Sequence, residues 1–352
     1  MAARLSRKLS LREGGDEDQG LAIATSFLRP EVFACTTELG WLCMYDLREE
    51  GGRPAASHRL SADAQEVTSL CMHPKDDNLA YASLGREVIE LDLRRLDDTA
   101  IATASNVVCT APEEVNQVVL SATGEYLACA DDSGEVQVVK AKERSVFKRL
   151  RKVHTSICSC VSFRPRQPWD IISGGLDCTI NVWDFSRGRV KTSLESSTGL
   201  DPGDGAESSQ VFNPPMIHAL AVPETRELAN HVAAARGDAS VAVYDLAKVA
   251  KTKEKRALVL KSLRKGHTTS VGHLCFTKFS GDRQILSGGN DGNLVMWNWL
   301  EGSIGDPSKP ALIPWSLKHG KKINWTATTG SASENVLVAD TSSALSVYSC
   351  LL

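Results

Sequence analysis

Apolar and polar residues alternate in short runs along most of the chain, and clusters of Gly, Asp, Asn and Ser separate one run from the next. A period of two predicts half-buried β-strands joined by tight turns. Residues 66–93 hold three such runs, EVTSLCMHP, NLAYASL and EVIELDL. Three more (EVNQVVLSATG, YLACADDSG, EVQVVKA) fill residues 114–141, and three (MIHALAVP, HVAAARGD, SVAVYDL) fill residues 216–246. KINWTATT, NVLVADT and ALSVYSC occupy residues 322–350. The runs come in groups because the chain repeats. ISGGLDCTINVWD ends at Asp184 and LSGGNDGNLVMWN ends at Asn298, with identical internal spacing. Ser173, Asp177 and Trp183 are four and six residues apart, as are Ser287, Asp291 and Trp297, and His154 and His267 stand about twenty residues upstream of the serines.

Weaker copies align with Trp183 and Trp297 at Tyr45, Leu91, Val139, Tyr244 and Tyr348, and the seven positions follow one another at intervals of 46, 48, 44, 61, 53 and 51 residues. With His, Ser, Asp and Trp at these offsets the sequence resembles the WD-repeat family, whose repeat is about 40–45 residues long. The resemblance implies an all-β fold, a seven-bladed β-propeller forming one domain over residues 1–352. The blades are expected near 20–60, 61–104, 105–150, 151–195, 213–260, 261–313 and 318–352. In that family His, Ser, Asp and Trp of one blade form a buried tetrad, implied here for His154–Ser173–Asp177–Trp183 and His267–Ser287–Asp291–Trp297.

The last group has only three runs. The family usually supplies the missing strand from the N-terminus, which implies that residues 4–11 close the ring and leave no open sheet edge. The basic, serine-containing stretch MAARLSRKLSLR also reads as a mitochondrial transit peptide, but Leu5, Leu9 and Leu11 alternate with Arg4 and Lys8 as in a strand. Residues 196–213, rich in Gly, Ser, Asp and Pro, read as a flexible inserted loop. The basic residues 247–257 read as a loop on the outer rim.

A net charge of -3 and a pI near 6.3 carry no footprint for nucleic acid or an anionic membrane, which leaves proteins as the expected partners. Ten scattered cysteines without a C-x-x-C pair, and no apolar run of membrane-spanning length, point to a soluble chain in a reducing cytoplasm or nucleus. No phosphate-loop, nucleophile-elbow or zinc-helix motif occurs, so no cofactor and no catalytic residue is expected. His154, Cys158 and Cys160 are spaced for a metal, yet the histidine has tetrad duty and the cysteines fall on one face of a strand. Asp131, Asp132, Asp177, Asp291 and Asp340 fall at or beside the repeat's turn aspartate, which puts structure before acid–base chemistry. A propeller enzyme is the least favoured reading.

Two neighbouring repeats end in YDLR (Tyr45 to Arg48) and LDLR (Leu91 to Arg94), whereas later ones read WDFSR, YDLAK and WNWL. In WD-repeat substrate receptors of cullin–RING ubiquitin ligases, paired Asp-x-Arg boxes face the damaged-DNA-binding adaptor. The resemblance implies that Arg48 and Arg94, oriented by Asp46 and Asp92, bind the adaptor of a cullin-four ligase while another surface holds an unknown client. Read from the motif alone, each Arg equally well just pairs with its own Asp. A scaffold subunit of a chromatin or ribosome-assembly complex is the alternative, and a monomer within a complex is expected in either case. Trp325 in KINW serves either as a partner anchor at the central opening or, more commonly for such a Trp, as filling between blades.

Overall fold

The computed structural model describes residues 3–11, 18–61, 63, 65–94, 107–151, 154–196, 213–249, 259–300, 312–330 and 333–350. Strand β1 (Arg4–Ser10) precedes seven groups. These are β2 (Gly20–Thr25), β3 (Val32–Thr37), β4 (Trp41–Asp46) and β5 (Ala56–Arg59); then β6 (Leu70–His73), β7 (Asp76–Leu84), β8 (Glu87–Asp92) and β9 (Val107–Thr110). Blade 3 is β10 (Val115–Leu120), β11 (Tyr126–Asp131), β12 (Val136–Lys140) and β13 (Ser145–Leu150), and blade 4 is β14 (Cys158–Phe163), β15 (Asp170–Gly175), β16 (Thr179–Asp184) and β17 (Arg189–Glu195). Blade 5 has β18 (Ile217–Ala221), β19 (His231–Arg236), β20 (Val241–Asp245) and β21 (Val259–Leu263), and blade 6 has β22 (Val271–Phe276), β23 (Ile285–Gly289), β24 (Asn293–Asn298) and β25 (Leu312–Lys318). Blade 7 holds β26 (Ile323–Thr328), β27 (Asn335–Asp340) and β28 (Ala344–Ser349). Each group is a four-stranded antiparallel meander, and β1 is the fourth strand of blade 7, paired antiparallel with β28 from Arg4↔Ser349 to Ser10↔Ala344.

First strands pack side by side around the ring, β26 returning to β2, so the molecule is a seven-bladed β-propeller with a central channel. Its core is divided. The described residues form seven apolar clusters, one between each pair of neighbouring blades, such as Tyr126, Ala128 and Val138 of blade 3 against Ile171, Trp183 and Phe185 of blade 4. Both faces of each sheet are therefore buried, which explains why the second strands read VFACTT, IISGG and HVAAAR, nearly continuous in apolar or small residues. The paired glycines of blades 4 and 6 have separate tasks. A Cβ on Gly174 would stand 2.6 Å from Ile217 Cγ2 of the next blade, and one on Gly175 would stand 2.6 Å from His154 Nδ1; Gly288 and Gly289 meet Ile323 and His267 in the same way.

One regular feature was not legible in the alternation. The first strands of blades 1, 3, 4, 5, 6 and 7 carry a register shift near their start, in blade 4 between Cys158 and Cys160. An extra residue reverses the side on which later residues point. The expectation that Cys158 and Cys160 share a face is corrected accordingly: Cys158 packs toward blade 3 and Cys160 toward blade 5. In blade 2 the expected run EVTSLCMHP is in the ladder only over Leu70–His73. Residues 197–212 of the inserted loop, 250–257 of the basic rim loop, and Met1, Ala2 and Arg12 lie outside the described residues. Residues 246–249 form a single helical turn.

Because β1 inserts Leu9 between blades 7 and 1 while Leu5 on the same strand is 45% exposed, the two side chains test the closure. Leu9→Ala is expected to cost about 2–5 kcal/mol and Leu5→Ala under about 0.5 kcal/mol, read as urea midpoints. Equal, small shifts would show that the strand contributes nothing to the fold.

Candidate functional site

An antiparallel meander sends its first-to-second and third-to-fourth turns to one end and its second-to-third turn to the other, where blades also join. Two faces with different chemistry result. The blade-joining face holds the histidine networks. His154 Nε2 lies 2.8 Å from Ser173 Oγ, to which Trp183 Nε1 donates at 2.9 Å, while His154 Nδ1 faces Asp177 Oδ1 at 3.1 Å. In blade 6 the same contacts are His267–Ser287 at 2.7 Å, Trp297–Ser287 at 2.8 Å and His267–Asp291 at 3.3 Å. Each carboxylate also accepts the backbone N–H after its histidine, at Thr155 (2.9 Å) and Thr268 (2.7 Å), so the joining loop is tied down by side chain and main chain together. All four residues of each set are thus hydrogen-bonded, the condition for a buried polar network to stabilise rather than cost. With both His154 nitrogens so engaged, it has none left for a metal, and Cys158 and Cys160 point to opposite sides of β14.

Two further networks escaped the sequence reading. In blade 7 His319 lies 2.5 Å from Asp340 Oδ2 and 2.6 Å from the Tyr348 hydroxyl, so a tyrosine at the Trp position meets the histidine directly. His319 and Asp340 were visible singly, but Asp340 stands eight residues before the aromatic where Asp177 stands six before, which hid the pairing. In blade 5 the histidine is replaced by a permanent cation: buried Arg236 pairs with buried Asp238, six residues before Tyr244, and Arg264 lies 3.8 Å from the same carboxylate. The spacing of Asp238 to Tyr244 was the available signal.

The opposite face carries the Asp-x-Arg boxes. After β4, Arg48 grips Asp46 through Nε at 2.9 Å and Nη2 at 2.5 Å; after β8, Arg94 grips Asp92 at 2.9 and 2.8 Å. The arginine side chains remain 68% and 66% exposed. The bidentate fork holds Asp46 down to about 2 and raises both guanidinium groups. The turn itself does not require the arginine. Asp46 and Asp92 accept the N–H two residues on, and Asp245 of blade 5 does the same with Ala247 at 2.9 Å. Arg7 of β1 braces the first box by donating to the Leu47 and Glu49 carbonyls at 3.0 and 2.8 Å, a positioning role that sequence alone did not reveal.

The loops on this face also hold three of the five exposed large apolar residues among those described, Phe27, Leu28 and Trp169; the other two, Leu5 and Val146, are on outermost strands. Trp325 sits away from both sets, in β26. It is half-buried, stacked on His273 of blade 6 with ring centroids 4.0 Å apart, and packed against the clusters on either side of blade 1. Asp131 is buried and caps its own turn through Ser133, while Asp132 is exposed and accepts from Asn116.

Seven meanders around a channel, two of them fastened by His–Ser–Asp–Trp sets, form a WD40-repeat β-propeller, and the family described as "WD domain, G-beta repeat" matches residues 146–184 and 259–298, the two segments that hold all four residues of each tetrad. Among individual proteins the chain is similar to the WD repeat-containing protein 53 homolog of Dictyostelium discoideum, 23% identical over 303 residues, which are 80% of this chain and 79% of that protein. It is also similar to Protein SUPPRESSOR OF PHYA-105 1 of Arabidopsis thaliana (24% identical over 67% of this chain) and to the GATOR2 complex protein WDR24 of Danio rerio (24% over 36% of this chain). The aligned regions are only 20% and 16% of those two longer proteins.

Two predictions test the networks. Trp183→Ala and Trp297→Ala are each expected to cost about 3–5 kcal/mol, through the cavity left and the lost serine contact, and an unchanged denaturation midpoint in either would contradict the assignment. The second concerns acid. Burial opposes ionisation of Asp177, but hydrogen bonds from His154, Thr179 and the Thr155 N–H outweigh it and bring the carboxyl down to about 2; Asp291 and Asp340 are also lowered. A depressed carboxyl adds stability that is complete above its unfolded value near 4 and is lost as pH falls through the folded value. Urea midpoints should therefore fall more steeply between about pH 4 and pH 2 in the parent than in Asp177→Asn; parallel slopes would contradict this.

Proposed function

We propose that the protein is a substrate receptor of a cullin-four ubiquitin ligase, docked on the damaged-DNA-binding adaptor through the face that carries Arg48 and Arg94 while another surface holds a client. The observation that carries the reading is that two adjacent blades present the same exposed, pre-oriented guanidinium at a turn which blade 5 builds without one. A surface ion pair of this kind adds little to stability, so its rigidity is better explained by a partner than by the fold. Phe27 and Leu28, in the loop before β3, provide apolar area on the same face, as a docking surface requires. Similarity to WD-repeat receptors with paired boxes supplies the identity of the partner. A cytoplasmic or nuclear setting agrees with ten cysteines that are all free thiols.

The test is an affinity pull-down of the tagged chain beside an Arg48→Ala, Arg94→Ala double variant. Both side chains are mostly exposed, so the variant should melt with the parent. Recovery of the adaptor with the parent and its loss with the folded variant is the expected outcome. Absence from both, or equal recovery, overturns the receptor reading and returns the protein to a scaffold of another complex.

A further inference from the structure

A cavity of about 670 Å³ opens where the C-terminal ends of the first strands of blades 1 to 6 converge, at the mouth of the central channel on the Asp-x-Arg face. Its wall is apolar at Leu70, Met72 and Phe163, and its charged groups are Arg164, Arg166 and Lys278 against one carboxylate, Glu224. Arg164 is engaged internally, donating to Asp170 at 2.9 Å and Asn230 at 3.1 Å. Lys278 is not so compensated. It is partly buried, donates to Thr25 Oγ1 at 2.8 Å, lies 4.9 Å above the Phe27 ring, and forms no ion pair among the described residues. An ammonium has three N–H donors, and one hydroxyl accepts one of them. Glu224 and Asp282 favour its charge only from beyond ion-pair distance, so an anionic group in direct contact would complete a cation partly withdrawn from water. Arg166, at the exposed edge of the mouth, is likewise without an ion-pair partner among the described residues.

We propose that this mouth binds an acidic segment of a partner protein in which a large apolar side chain is flanked by Asp or Glu. The apolar side chain enters between Phe27, Met72 and Phe163, and the carboxylates pair with Lys278 and Arg166. The apolar wall and the exposed Phe27 and Leu28 beside it favour a peptide over a free inorganic anion, which would leave that surface unused. The proposal does not rest on the ligase reading: Arg48 and Arg94 lie after the third strands of blades 1 and 2 and neither lines the cavity, although Phe27 borders both surfaces.

The experiment is fluorescence polarisation of the full chain against labelled short peptides that place Leu, Phe or Met between Asp or Glu residues in a Gly-Ser background. Two control sets replace the acids by Lys or the apolar residue by Ser. Acidic-apolar peptides are expected to bind at micromolar Kd, to weaken roughly tenfold in Lys278→Met and severalfold in Arg166→Ala, and to recover in Lys278→Arg. Arg166 is exposed, so Arg166→Ala keeps the test valid if Lys278→Met fails to fold. The Arg48→Ala, Arg94→Ala protein should bind these peptides like the parent, so a failed adaptor pull-down leaves this proposal standing, and the reverse. No binding by any acidic-apolar peptide, or affinity unchanged in Arg166→Ala and Lys278→Met, overturns it. Equal binding by the Ser controls, with inorganic phosphate an effective competitor, would overturn it in favour of a simple anion site.

Discussion

Each blade of this molecule is a sheet with two apolar faces, and neither face finds cover within its own blade. The seven clusters between neighbours are the core, and each is shared equally by two repeats. Stability then depends on neighbour-to-neighbour contact around the whole circuit, as in other repeat architectures. A gap anywhere would expose two apolar sheets at once. The last and first blades therefore meet through Leu337 and Val347 on one side and Ile23 and Phe33 on the other, with Leu9 of β1 and Leu11 just after it added to the same cluster.

Within that ring the polar networks have a local job. They sit where blade-joining loops meet the ends of the second strands, with different chemistry in different blades: a four-residue relay in blades 4 and 6, an Asp–His–Tyr chain in blade 7, and in blade 5 a buried Arg–Asp pair that Arg264 of the next joining loop approaches. All of these fasteners are at one end of the blades. At the other end buried Asp77 takes Ser26 and Arg29 of the neighbouring blade and buried Asp282 takes Thr225, and there the exposed guanidinium forks, the exposed Phe27 and Leu28, and the open channel mouth are found.

How much of this was legible in the sequence follows from what each feature depends on. Strands, blade number and both full tetrads could be read because period-two alternation and fixed offsets between Ser, Asp and Trp are local properties. The side on which Cys160 packs could not, because a one-residue bulge reverses parity without altering composition. His319 and Asp340 were visible, but their direct pairing, with Tyr348 on the other ring nitrogen, needed the fold to bring a loop to a strand end. Arg236 was hidden for a different reason: an arginine in a strand gives no sign that it stands in for a histidine. The uncompensated Lys278 could not be anticipated, since its surroundings come from Thr25 and Phe27 at the far end of the chain.

The central claim is that the molecule docks by the face bearing Arg48 and Arg94 and leaves the histidine face free of the adaptor. Amide hydrogen exchange of the protein, alone and with the purified ligase adaptor, measures this directly. The account predicts slowed exchange in residues 26–31, 46–53 and 92–94, with no change in the histidine-face segments 154–157, 176–179, 267–270 and 319–322. Protection of those histidine-face segments, with residues 26–31 and 46–53 unaltered, would contradict it.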